Sequence, residues 1–111
     1  MSNIKNVAII GTGVIGTGWV IRCLAHGKKV RAYDINLKHK KNLIKEVKRT
    51  WPFVKKLFKK KKLNLHNLSF YRNLHDALIK AEFIFECAPE NYTLKTNLMK
   101  KITIGFLFIF S

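Results

Sequence analysis

Short apolar runs alternate along this chain with longer stretches in which apolar residues recur every third or fourth position. Val7 to Ile10 is an unbroken apolar run, short enough for a parallel strand buried on both faces. The segment after it reads as a helix ending at Gly27, and Val30 to Tyr33 as a second strand. Asn36 is placed to cap a helix that begins at Leu37. Within that helix Leu43, Ile44, Val47, Trp51, Val54 and Leu57 fall on one amphipathic stripe. Pro52 lacks an N–H and crowds the preceding turn, which predicts a kink or a break into two helices near Thr50 and Trp51. The helical spacing of Trp51 makes it a core residue rather than a ligand-stacking ring. Leu63 to Asn67 reads as a connector and Leu68 to Tyr71 as a third strand. Asp76 to Lys80 is a short helix with Asn73 or His75 near its start, and Phe83 to Cys87 a fourth strand. The order βαβαβαβ predicts an α/β fold, a parallel sheet with flanking helices and right-handed crossovers.

Between the first strand and the first helix stand Gly11, Gly13 and Gly16, spaced GxGxxG, and Asp34 closes the second strand. The glycine pattern alone is weak. Following a strand, opening a helix and paired with an acidic residue, it predicts a Rossmann-type dinucleotide site. Gly11 suits a sharp turn that needs positive φ. Gly13 leaves room for a pyrophosphate to approach the backbone, and Gly16 lets helix and strand pack closely. The first helical turn, with Thr12, Val14 and Ile15 around the glycines, presents unpaired N–H groups and a partial positive charge to that anion. Asp34 suits the two hydroxyls of an adenosine ribose and repels a 2′-phosphate, so the expected cofactor is NAD rather than NADP. Arg31 precedes Asp34, where it would not meet a 2′-phosphate.

Composition changes this picture little. The 111 residues suit one domain, and the chain is 48% apolar, enough for a core. The start shows no secretory pattern and no apolar run is long enough to span a bilayer, so a cytoplasmic, membrane-free protein is expected. Cys23 and Cys87 lie among apolar neighbours and read as buried thiols. His26, His39, His66 and His75 have no metal-ligand spacing, and no metal site is expected. The net charge of +16 is mostly lysine, accompanied by abundant Asn, Ile and Phe, as AT-rich coding DNA would produce. The densest run, Lys55, Lys56 and Lys59 to Lys62, could meet phosphates. No nucleic-acid-reading motif accompanies it, and a solvated helix end explains it better.

GTGVIGTGW from Gly11 to Trp19, CLAHG from Cys23 to Gly27, AYD from Ala32 to Asp34, ECAPEN from Glu86 to Asn91 and LKTNLMKKI from Leu94 to Ile102 carry a resemblance. The chain resembles the NAD-binding domain of the 3-hydroxyacyl-CoA dehydrogenase superfamily over nearly its whole length to Ile102. Trp51-Pro52 and AEFIFECAPE are most similar to the L-carnitine dehydrogenase branch, with the λ-crystallin-like branch sharing the ECxPE variant. The resemblance implies a Rossmann domain over residues 1–102, incomplete at its C-terminal side, and a divergent apolar tail over residues 103–111. It assigns Gly11, Gly13 and Gly16 to the pyrophosphate turn and Asp34 to the ribose. It also implies that Glu90 and Lys95, with Ala88 offering backbone beside them, lie near the nicotinamide ribose.

The same resemblance implies hydride transfer from a secondary alcohol to NAD. A histidine base, a glutamate that orients it, and serine and asparagine that hold substrate would lie beyond the fifth strand. This chain instead reads TIGFLFIFS after Ile102. That tail is expected to be either a replacement fifth strand or, preferably, the product of a shifted or truncated reading frame. The family's catalytic and dimerisation domain is then absent, none of the four histidines is expected to serve as base, and the fragment is expected to be inactive alone. The other readings are a small basic nucleic-acid-binding protein and a non-functional truncated product.

Overall fold

The strand at Asn6–Ile10 (β1) is apolar on both sides, and the architecture follows from covering both. The computed structural model describes residues 3–59 and 63–87, and the backbone of a strand at Leu107–Phe110. After β1 come α1 (Val14–Ala25), β2 (Lys29–Tyr33), α2 (Lys38–Phe58), a 3-10 turn (Leu65–Asn67), β3 (Leu68–Tyr71), α3 (Leu74–Leu78), β4 (Phe83–Glu86) and β5 (Leu107–Phe110). Val7 and Ile9 face one core cluster, which α1 and α2 close with Val20, Leu24, Leu43, Val47 and Trp51. Ala8 and Ile10 face the other, which α3 closes with Leu74, Ala77 and Leu78. This is the three-layer α/β arrangement of a Rossmann-type sheet.

All pairings are parallel and the strand order is β3-β2-β1-β4-β5. The chain builds outward from β1 to β3, then returns to the other flank of β1 with β4. The order therefore reverses between β1 and β4, where ligands of open α/β sheets lie beyond the carboxyl ends. Register pins those ends together: Ile10 is level with Tyr33 on β2 and with Glu86 on β4. At the opposite edge Glu82 Oε1 accepts from the N–H groups of Lys5 and Asn6 at 3.1 and 3.0 Å. Those bonds, that from Asn6 foremost, hold its carboxyl below the usual range. The tail expected to diverge ends in β5, an edge strand on β4.

Several boundaries shift by one or two residues, and two differences from expectation bear on the packing. α3 starts two residues earlier than the sequence pattern suggested, because the Asn73 side chain accepts from the N–H groups of His75 and Asp76 and caps it there. Of the kink or break expected at Pro52 the break does not occur; α2 is continuous from Lys38 to Phe58. Leu43 and Val47 lie before the proline turn and Trp51 beside it, and all three are buried in the same cluster. Pro52 itself is exposed, so its ring displaces no packing. Burial of the stripe outweighs one missing backbone hydrogen bond. Leu57, expected on the stripe, is 79% exposed.

Because Pro52 removes a helix hydrogen bond without filling a packing role, Pro52→Ala is expected to stabilise the chain by about 1 kcal/mol or more. Urea denaturation checks this, and an unchanged or lower midpoint would show that α2 depends on the proline.

Candidate functional site

β1 ends at Ile10, and the chain leaves it through Gly11, whose φ of 94° lies in the region that disfavours side chains. The Gly11 N–H donates to the Tyr33 carbonyl at 2.8 Å, so the turn is fastened to the end of β2. α1 then starts at Val14 with Gly13 as its cap residue. No side chain caps this end and no acidic residue lies in its first turn. Its leading N–H groups and the positive end of its dipole are left for an anion.

The glycines have separate tasks. A Cβ built on Gly16 would fall 1.8 Å from the Gly11 carbonyl oxygen, so the first turn of α1 lies directly against the turn. A Cβ on Gly13 would meet nothing within 4 Å. Gly16 is required by the fold itself, whereas the space above Gly13 is open.

Asp34 is only 6% exposed. Its Oδ2 accepts from the Thr12 N–H at 2.7 Å and the Thr12 hydroxyl at 3.2 Å, and its Oδ1 accepts from the Asn36 N–H at 2.7 Å. His39, on the first turn of α2, places Nδ1 2.8 Å from Oδ2. Burial alone would push the Asp34 carboxyl up. The bonds from His39, Thr12 and Asn36 more than offset it and hold the group below its usual value. Gly11, Gly13, Val14, Ile15, Asp34, Ile35, Asn36, His39 and Cys87 line a cavity of about 490 Å³ at this edge.

The fold thus gathers Gly11, Gly13, Val14, Ile15 and Asp34 around one space, with Thr12 bonded to Asp34 and Gly16 packed beneath. Chemically it can receive a diphosphate at the helix end and a diol at the carboxylate. Ala88, Glu90 and Lys95 lie outside the described residues. Arg31 turns away: its Nε and Nη2 donate to the carbonyls of Ala77 and Asp76 at 3.1 and 2.6 Å, and its guanidinium lies over the Tyr71 ring. No group of three or more metal-binding side chains occurs among the described residues.

One cysteine fits the expectation of a buried thiol and the other does not. Cys23 is buried, and burial pushes its thiol up to about 11, with Lys28 pulling the other way. Cys87 is only half-buried and reaches the cavity edge, because it follows β4 at the open end of the sheet. His39, not expected to serve as a base, is paired with Asp34. No residue spacing announces that pair. It depends on how the chain turns between Asp34 and Lys38, where the Asn36 side chain accepts from the Lys38 N–H.

Residues 6–104 match the family model described as 3-hydroxyacyl-CoA dehydrogenase, NAD binding domain. The chain belongs to that family, and it is an NAD-binding domain. It is 39% identical over 98 residues to the L-carnitine dehydrogenase of Oceanobacillus iheyensis, an alignment covering 88% of this chain and 32% of that protein. It is also 39% identical over 103 residues to the L-carnitine dehydrogenase of a Pseudomonas species, covering 93% of this chain and 32% of the relative. The chain therefore spans about a third of the length of these curated relatives. In fold it is similar to (S)-3-hydroxybutyryl-CoA dehydrogenase from Ralstonia eutropha, with a TM-score of 0.80 and 21% identity over 97% of this chain and 41% of that one.

The glycines give a paired test. Gly16→Ala should cost about 3 kcal/mol of stability or more, because a backbone carbonyl cannot yield to the new methyl. Gly13→Ala should change stability by less than about 0.5 kcal/mol. Urea denaturation of both variants checks this, and equal effects would contradict the geometry.

Asp34 predicts an acid dependence. Its carboxyl is lowered on folding, so its stabilisation is complete above the unfolded value of 3.8 and is lost as pH falls through the folded value. Asp34→Asn should be less stable than the parent at pH 6, with the difference shrinking toward pH 2. A constant difference would show that the charge on Asp34 does not contribute.

Proposed function

We propose that Gly11, Thr12, Gly13, Val14, Ile15 and Gly16 form the turn that holds the pyrophosphate of NAD, and that Asp34 accepts from the hydroxyls of its adenosine ribose. The observation that carries this is the uncapped start of α1 opening onto the same space as the Asp34 carboxylate. A 2′-phosphate would stand against that carboxylate with Arg31 engaged elsewhere, which supports NAD over NADP. Ala88, Glu90 and Lys95 are proposed, on the resemblance alone, to border the nicotinamide ribose. NAD, when bound, supplies a hydride acceptor.

The reaction served is the oxidation of a secondary 3-hydroxy group, in L-carnitine or a 3-hydroxyacyl-CoA, by an oxidoreductase of this family in the cytoplasm. L-Carnitine is favoured between the two, since the relatives 39% identical to the chain are L-carnitine dehydrogenases. These 111 residues supply the cofactor-binding part and are inactive alone, which fits their coverage of about a third of those relatives. The basic face of α2 supports no competing reading, because its exposed lysines are accompanied by no base-reading element.

NAD at a hundred times its dissociation constant should stabilise the chain by about 2.7 kcal/mol. Asp34→Ala should lose most of that gain, and Gly13→Ala should lose it while keeping the parent stability. Duplex DNA binding that falls steeply with salt, with no effect of NAD, would overturn the assignment. NADH formation by the purified chain from NAD and L-carnitine would overturn its inactivity.

A further inference from the structure

The Asp34 carboxylate is already crowded. Oδ2 receives the Thr12 N–H, the Thr12 hydroxyl and His39 Nδ1, and Oδ1 receives the Asn36 N–H. A carboxylate offers about four lone-pair positions, so a ribose diol finds few vacant. The Thr12 and Asn36 N–H groups are backbone, fixed by the turn and by the start of α2. Thr12, whose hydroxyl also donates, is only 3% exposed, whereas the His39 ring has 35% of its surface in solvent and is the donor with room to leave. It also stands between two spaces. It lines the cavity that holds Asp34, and a neighbouring one of about 390 Å³ between α1 and α2, lined by Thr17, Gly18, Ile21, Asn42 and Glu46 among others. The second cavity is room for the displaced ring.

We propose that His39 competes with the adenosine ribose for Asp34, and that it competes more strongly when protonated, so that affinity for NAD rises with pH. The inference rests on the assignment of Asp34 to the ribose. A hydrogen bond between two charged partners is about twice as strong as one with a neutral donor, and the bond must break for the diol to enter. Charged and titratable groups near the ring come from every neighbouring element. Asp34 follows β2, Cys87 follows β4, Glu46 lies further along α2, and exposed Lys38 and Lys40 flank His39 in sequence. α1 lines the shared cavity without a titratable side chain. Glu46 is paired with Arg49, which holds its carboxyl low. Imidazole is the side-chain type whose charge ordinarily changes between about pH 5 and 8, which sets the two pH values of the test.

The test is calorimetric titration of NAD into the full chain, His39→Gln and Asp34→Asn at pH 5.5 and 7.5. The parent should bind about tenfold more tightly at pH 7.5. His39→Gln should lose that dependence and match or exceed the parent at pH 5.5. NAD should also move the His39 ring proton resonances of the parent. A pH dependence retained in His39→Gln, a still ring resonance, or tighter parent binding at pH 5.5 overturns the proposal. Undiminished binding by Asp34→Asn at both values overturns the ribose assignment beneath it.

Discussion

Everything at the open edge of this sheet depends on a contact that only a residue without a side chain permits. α1 can begin where it does because Gly16 lies against the carbonyl of Gly11, closer than any Cβ would allow. That approach keeps the start of the helix beside the carboxyl end of β1. The Gly11 N–H then ties the turn to Tyr33, and the Thr12 N–H ties it to Asp34, so β2 cannot shift independently. Helix dipole, turn and carboxylate are thus one rigid unit. Their relation is set before any ligand arrives, which reduces the ordering cost of binding.

The same unit explains why a lysine-rich chain needs no cationic side chain at its anion site. The positive end of a helix and its free N–H groups favour a diphosphate over short range. The lysines of α2 instead follow the solvent side of a helix whose opposite side is buried through Leu43, Val47 and Trp51. Lys55 and Lys56 sit in its last turn, where positive charge complements the dipole. Arg31, the one arginine beside Asp34 in sequence, is consumed at the carbonyl end of α3. The local electrostatics of the cleft are therefore separate from the net charge of the chain.

Strand positions, the glycine turn and the acidic end of β2 were legible because each rests on a short-range rule. Apolar run length marks a buried strand, and GxGxxG marks a turn the backbone must make. Whether α2 would break at Pro52 was left open, since it is decided by burial of a stripe whose partners lie on other elements. His39 beside Asp34 was equally hidden, because four residues of turn and helix start separate the two and no local rule fixes their meeting. Cys87 was misplaced for a similar reason: apolar neighbours in sequence do not show that the sheet opens at that end. The strand at the end of the tail follows from its run of Phe, Leu and Ile, residues that suit a sheet.

Amide chemical-shift mapping of the chain with NAD tests the central claim most directly. The largest changes are expected at the backbone N–H groups of Gly11 to Gly16 and of Asp34 to Asn36, with the lysine face of α2 unmoved. Changes centred on Lys45, Lys48, Lys55 and Lys56, or none at the turn, would contradict it.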